Sequence, residues 1–166
     1  MATHKATIEY PKIETLYDRA PKTFNVIPGA LRLPEYGLIA RWLVTEKVDG
    51  TNIRVHLQGG TVTYGGRTEA AQLFAPLVAW LQEHVGPERV GAAFDADTEA
   101  ILFGEGYGPK IQKGGGNYRA DAAFRLFDVA VLGERVWWLA WRDICDIAAK
   151  LGIQTVPVLA REATLD

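Results

Sequence analysis

From residue 39 onward the chain alternates between short apolar runs and breaks marked by glycine or proline, a pattern that predicts several short strands with a few helices among them. Residues 39–45 are apolar and aromatic and predict a strand, followed by the turn dipeptide Asp49-Gly50. Residues 52–57 alternate, with Ile53, Val55 and Leu57 on one face and Arg54 and His56 on the other, which predicts a half-buried strand. Gly59-Gly60 is a hairpin signal, and residues 61–64 return as its second strand. Helical spacing of Leu73, Leu77, Trp80 and Leu81 predicts a helix over 70–85, stopped by Gly86-Pro87. Residues 100–103 form a short apolar strand that runs into a glycine-rich, basic segment over 104–119, expected to be a loop. Residues 124–132 predict an apolar strand interrupted by Asp128, and Gly133-Glu134 turns the chain into 135–140. Ile144, Ile147, Ala148 and Leu151 form one stripe of a helix over 141–151, closed by Gly152. Residues 153–159 predict a last strand. Residues 1–36, with Pro11, Pro21, Pro28 and Pro34, read as an irregular lead-in with short elements. The sum is an α+β domain, largely antiparallel sheet with flanking helices.

Composition narrows the class without choosing a function. The 166 residues suit one domain spanning 1–166, and 48% hydrophobic with 23% charged residues is an ordinary globular balance. No apolar run reaches the roughly 20 residues of a membrane span, so no membrane partner is expected. The polar, mixed-charge opening residues do not have the form of a signal peptide. A single cysteine, Cys145, excludes an internal disulfide and suits a reducing, cytoplasmic location; with three histidines it also argues against structural zinc. A net charge of −2 neither supports nor excludes a polynucleotide partner, because such a partner needs only a local basic surface. Lys110, Lys113 and Arg119 supply one, interleaved with Gly114-Gly115-Gly116 and Tyr118, a composition suited to phosphate oxygens and base stacking. A solvated surface loop has the same composition.

The sharpest local feature is Glu46-Lys47-Val48-Asp49-Gly50-Thr51-Asn52. A lysine amine is a nucleophile only when unprotonated, so neighbouring cations or loss of water must bring its pKa down from about 10.4. At the end of a strand and before a glycine turn, Lys47 can reach a ligand that the backbone approaches closely. By local spacing alone, a solvated lysine on a surface hairpin is the favoured reading. Glu105, flanked by Gly104 and Gly106, reads from the residues alone as an ordinary turn glutamate.

Lys-Val-Asp-Gly-Thr-Asn resembles the Lys-x-Asp/His-Gly-x-Asn signature of the covalent nucleotidyltransferases: DNA ligases, RNA ligases and mRNA capping enzymes. Glu46 before it and Gly-Thr-Asn at its end look most like the RNA ligase 2 group. Three further elements follow in family order: Tyr64-Gly65-Gly66-Arg67-Thr68-Glu69, Phe103-Gly104-Glu105-Gly106-Tyr107-Gly108, and Phe124-Arg125-Leu126-Phe127-Asp128-Val129. The segment 104–119 as a whole resembles phage-type RNA ligases. The resemblance implies an ATP-grasp-like ligase nucleotidyltransferase fold, ATP and Mg2+ as cofactors, an RNA or nicked nucleic-acid substrate, and a role in nucleic-acid repair. It implies that Lys47 becomes adenylylated, that Glu46 and Asn52 hold the nucleoside side, and that Arg67 serves the ribose and phosphate side. It further implies that Glu105 contacts the ribose or metal, and that Phe127 stacks on adenine, with Phe124 as the alternative ring.

The sequence departs from the family after Asp128. A Glu-Gly-x-Val element and a Lys-x-Lys strand are expected there, and neither is present; Lys150 is the sole lysine after Lys113. The domain is therefore expected to be C-terminally incomplete, with ligation by these residues alone in doubt. Two rivals stay in play, a DNA ligase of the same superfamily and a non-catalytic nucleotide- or nucleic-acid-binding module.

Overall fold

Alternation does produce strands, and the central ones are longer and more deeply buried than the sequence pattern predicts. A computed structural model describes residues 8–68 and 71–165. Strands are β1 (Tyr17–Arg19), β2 (Val26–Leu31), β3 (Trp42–Thr45), β4 (Thr51–Gln58), β5 (Thr61–Gly65), β6 (Glu99–Tyr107), β7 (Ala123–Leu132), β8 (Val136–Trp138), β9 (Gln154–Thr155) and β10 (Val158–Ala163). Helices are α1 (Ala75–His84), α2 (Pro87–Ala93) and α3 (Trp141–Leu151). The chain divides into two compact units: 47–156 with Ile8 and Glu9, and 10–46 with 157–165.

In the larger unit the described strands form one six-stranded sheet in the order β5-β4-β6-β7-β8, with β9 alongside β7. Every pairing is antiparallel except β7 with β9. One face carries Ile53, Val55, Leu57, Leu102 and Leu126, packed under Leu77, Leu81 and Val90 and the α3 stripe Ile144, Ile147 and Leu151. The hairpin between β4 and β5 turns at Gly59 and Gly60, whose φ values of +55° and +75° are the left-handed pair a two-residue turn requires. Helix α3 has the predicted bounds. Gly152, at φ +68°, closes it by donating its N–H to Ala149 while Ile153 donates to Ala148.

Several boundaries move, each for a physical reason. Strand β6 does not stop at Phe103 but continues through Gly104-Glu105-Gly106 to Tyr107. These glycines are sites of close approach within a strand: a methyl on Gly104 would lie 2.2 Å from the Phe124 ring, and one on Gly106 would lie 2.4 Å from Leu77. The helix predicted over 70–85 starts at Ala75; Ala70 lies outside the described residues, and 71–74 are irregular. Pro87 ends nothing. It opens α2 from the first helical position, where a missing N–H costs no hydrogen bond. The last predicted strand splits into β9 and β10 around Pro157, which is also where the chain passes from one unit to the other.

In the smaller unit, β1 pairs with β2 and β10 with β3, all antiparallel. The lead-in therefore contains a hairpin, braced by an Arg32–Asp18 ion pair at 3.0 Å. Tyr36 meets Trp42 edge to face at 5.8 Å.

The glycine reading makes a paired prediction. Gly104→Ala destabilises the fold by about 3 kcal/mol or more, because the new methyl meets a buried ring and the Arg125 carbonyl, neither of which can move aside. Gly91→Ala, inside α2 with nothing near its added methyl, stabilises by about 0.5–1 kcal/mol. Chemical denaturation of both variants checks the contrast; equal effects would show that Gly104 is not a packing glycine.

Candidate active site

The segment after β3 is held by its apolar residue and releases its polar ones. Val48 is 2% exposed and packs with Tyr107, Ala123 and Val156, while Lys47 and Asp49 on either side face solvent. Gly50 then presses the chain against β6: a methyl there would come 2.2 Å from the Gly106 carbonyl oxygen. That contact needs glycine and sets the register that follows, Thr51 opposite Gly106 and Asn52 opposite Glu105.

Three predicted residues converge at this end of β4 and β6. The Glu105 carboxyl is half-buried, accepts the Gly50 N–H, and lies within electrostatic reach of the Lys47 ammonium and the Asp49 carboxylate. Its pKa is pushed up to about 7. Burial is the largest cause; the Lys47 charge opposes it, Asp49 adds to it, and the Gly50 N–H opposes it. Beside it, the buried Asn52 Oδ1 has no hydrogen-bond partner among the described residues. An amine, a carboxyl that changes charge near neutrality and an orphan acceptor form a set suited to a polar, phosphate-bearing ligand.

Asp49 organises the basic segment. Its Oδ2 accepts the Gly114 N–H at 3.0 Å, and its own N–H donates to the Tyr118 hydroxyl at 3.3 Å. Tyr118 meets Tyr107 edge to face at 5.6 Å, and the Arg125 guanidinium lies 5.3 Å from the centre of the Tyr107 ring. Lys110 and Lys113 are exposed on this loop. Arg119 is clamped by Asp121, one of its bonds being 2.9 Å, so its charge is largely answered within the chain. Asp49→Ala removes the tie at Gly114 and raises amide exchange there about tenfold, since a bond to a charged acceptor is lost. Unchanged protection measured by hydrogen–deuterium exchange would mean the loop is held by its own turns.

The remaining predicted residues are spread more widely. Arg67 is exposed and follows the buried Gly66, which packs against Ala71 and Leu73 and lies near the Asn52 carbonyl. Phe127 is half-buried against the Val48–Tyr107 cluster, whereas Phe124 is 1% exposed in the core beneath Gly104. The alternative stacking ring is thus a core residue. Glu46 belongs to the smaller unit, where its N–H donates to the Pro157 carbonyl at 2.9 Å. A groove lined by Asp95, Asp143, Asp146 and Lys150 lies among α2, α3 and β7 and shares none of these residues.

Sequence reasoning missed Arg54. Alternation puts Arg54 on the polar face of a half-buried strand, yet Arg54 is 3% exposed. Alternation identifies two faces and cannot say that both are buried. The pairings of Tyr118 with Asp49 and of Tyr107 with Arg125 are likewise not legible in the sequence, where the tyrosine–glycine composition of 104–119 is the available signal.

Among the described residues no cluster of three or more histidine, cysteine or acidic side chains forms a ready metal cage. Glu105 with Asp49 nearby is instead a two-carboxylate setting, the kind that holds magnesium-like ions jointly with ligand phosphates.

Residues 40–166 match the family model described as RNA ligase. No curated protein matches the chain. Among solved structures, a Naegleria gruberi RNA ligase variant with AMP and Mn aligns with TM-score 0.62 and 18% identity, over 76% of this chain and 38% of that one. A second variant of that ligase, with ATP and Mn, gives 0.63 and 19%, over 92% of this chain and 45% of that one. This chain therefore spans less than half the length of those structures, and the likeness is one of fold.

Proposed function

Because the chain belongs to the RNA ligase family, we propose that it is the adenylyltransferase part of an ATP-dependent RNA ligase, with Lys47 as the nucleophile. The observation that carries this is the Glu105 carboxyl, which accepts the Gly50 N–H and feels the charge of Lys47, set across the strand pair from Asn52 with its unpartnered oxygen. In the first step the Lys47 Nζ lone pair forms a bond to the α-phosphorus of ATP, the bond to the bridging oxygen breaks, and pyrophosphate leaves. In the second, a 5′-phosphate oxygen attacks the same phosphorus and the Lys47 nitrogen leaves. In the third, a 3′-hydroxyl attacks the activated 5′-phosphate and AMP leaves. Catalysis of this kind is mostly positioning and charge stabilisation.

Each residue has a task in that scheme. Asn52 holds the nucleoside side, its Oδ1 accepting a ligand donor; the family resemblance gives Glu46, the residue before Lys47, to the same side. Arg67 presents a planar set of donors to ribose and phosphate oxygens. Phe127, backed by Val48 and Tyr107, is the stacking ring. Glu105, with Asp49, would hold the divalent cation, magnesium in the cell, which neutralises phosphate charge. Lys110, Lys113 and, more weakly because of Asp121, Arg119 attract the RNA backbone. The similarity of 104–119 to phage-type ligases favours RNA over DNA. No helix among the described residues is long and apolar enough to cross a membrane, and a cytoplasmic location, with nucleic-acid repair as the setting, is part of the proposal.

The test is incubation with Mg2+ and ATP labelled at the α-phosphate. Label should attach to the protein, survive base and be released by acid, as a phosphoramidate is; ATP labelled at the γ-phosphate should leave none. ATP binding without covalent label would instead identify a binding module that has lost the chemistry. Sealing of nicked DNA in preference to RNA would point to the DNA ligase alternative.

A further inference from the structure

Arg54 is 3% exposed, yet among the described residues no carboxylate pairs with it. Its guanidinium lies over Gly65, its direct partner across β4 and β5, and its Nε donates to the Gly66 carbonyl at 2.8 Å. One terminal nitrogen also reaches the Ile8 carbonyl at 3.4 Å. Among the described residues its hydrogen-bond partners are neutral carbonyls, a costly setting for a buried cation, and an apolar side chain of similar length would fill the space at less cost. Stability alone therefore does not account for Arg54.

Its position does. Gly66 is the residue before Arg67, and Arg54 shares a strand face with Asn52, two residues away. We propose that Arg54 is a positioning residue of the nucleotide site: its buried guanidinium holds the Gly66 carbonyl and so fixes the backbone from which Arg67 projects. A guanidinium suits the task because its donors are rigid and directed, whereas a lysine ammonium is a flexible point charge. The functional half of this proposal rests on the reading of Arg67 as a nucleotide contact. The structural half does not.

The experiment uses Arg54→Lys and Arg54→Met in the full chain, with hydrogen–deuterium exchange, and titration calorimetry with ATP and Mg2+. Exchange at amides 66–68 should rise about tenfold in both variants while Val55 and Leu102 on the neighbouring strands keep their protection. ATP binding should weaken about tenfold, and Arg67→Ala alone should weaken it by a similar factor. Combining Arg54→Lys with Arg67→Ala should weaken it no further, because the pin then has nothing to position. Multiplicative losses in the double variant, or exchange rising evenly over the sheet, overturn the proposal. So does failure of both Arg54 variants to fold, which would make Arg54 a stability residue. If Arg67→Ala leaves ATP binding intact, the reading of Arg67 fails and takes the functional half with it, while the exchange data still decide whether Arg54 pins the turn.

Discussion

Lys47→Ala should lose covalent adenylylation entirely, a fall of about 10³-fold or more that reaches the detection limit, while the protein keeps its fold and its affinity for ATP. The expectation of an intact fold follows from exposure. Lys47 faces solvent, whereas the residue that anchors the segment is its buried neighbour Val48. The loss follows from the proposed chemistry, in which the Lys47 amine itself forms the phosphorus–nitrogen bond. Lys47→Arg is the sharper variant: it keeps the positive charge beside Glu105 but holds a guanidinium that stays protonated at any working pH. If charge near the phosphates were all that mattered, Lys47→Arg would retain label. The prediction is that it retains none, read by gel after incubation with ATP labelled at the α-phosphate. Label persisting in either variant would move the nucleophile elsewhere and remove the centre of the proposed mechanism.

The parts of this arrangement that sequence reveals are those governed by local rules. Helix α3 could be placed to the residue because its stripe is regular and Gly152 supplies the left-handed closing residue that only local geometry demands. The β4–β5 hairpin is set by a glycine pair for the same reason. What stayed hidden depends on residues far apart in the chain. Gly104 and Gly106 look like loop residues until Phe124 and Leu77 are seen to occupy the space their side chains would fill. Arg54 looks solvated until the second face of the sheet is found to be covered. Pro87 reads equally as the end of one helix or the start of another, and only the core contact of Val90 decides. At the site, the Lys-Val-Asp-Gly-Thr-Asn run is identifiable by its resemblance to a family signature, but the role of Asp49 in holding the 108–119 loop is not, because its partners lie 65 and 69 positions away. The same limit applies to Arg119, whose local partner Asp121 was in plain view but whose pairing needed coordinates.

Glu105 gives the second large effect, and it separates stability from function. Its carboxyl has a pKa of about 7 in the folded chain against 4.5 as the ordinary value, so the folded state holds the proton more tightly than the unfolded state. Linkage then fixes the sign. Between pH 4.5 and 7 the folded protein binds more protons, and stability falls as pH rises through that window; below and above it this group contributes no slope. The penalty at pH 8 is about 2 kcal/mol once solvent screening of a half-buried group is allowed for. Glu105→Gln keeps the shape and the acceptor for the Gly50 N–H but has no charge to desolvate. It should therefore equal the parent in stability at pH 4 and exceed it at pH 8, as measured by denaturant titration at the two pH values. Adenylylation should move the other way, falling about 100-fold, because the ionised carboxylate proposed to hold the metal is gone. The rate in the parent should rise with pH through a midpoint near 7, and that midpoint should shift downward as Mg2+ is raised, since the cation competes with the proton for the same oxygens. A site kept for stability would give the opposite pairing, with Glu105→Gln weaker at pH 8 and unaltered in labelling. The expected trade, a sturdier fold with a disabled site, arises because the desolvation that makes Glu105 costly to bury also makes it sensitive to a bound cation.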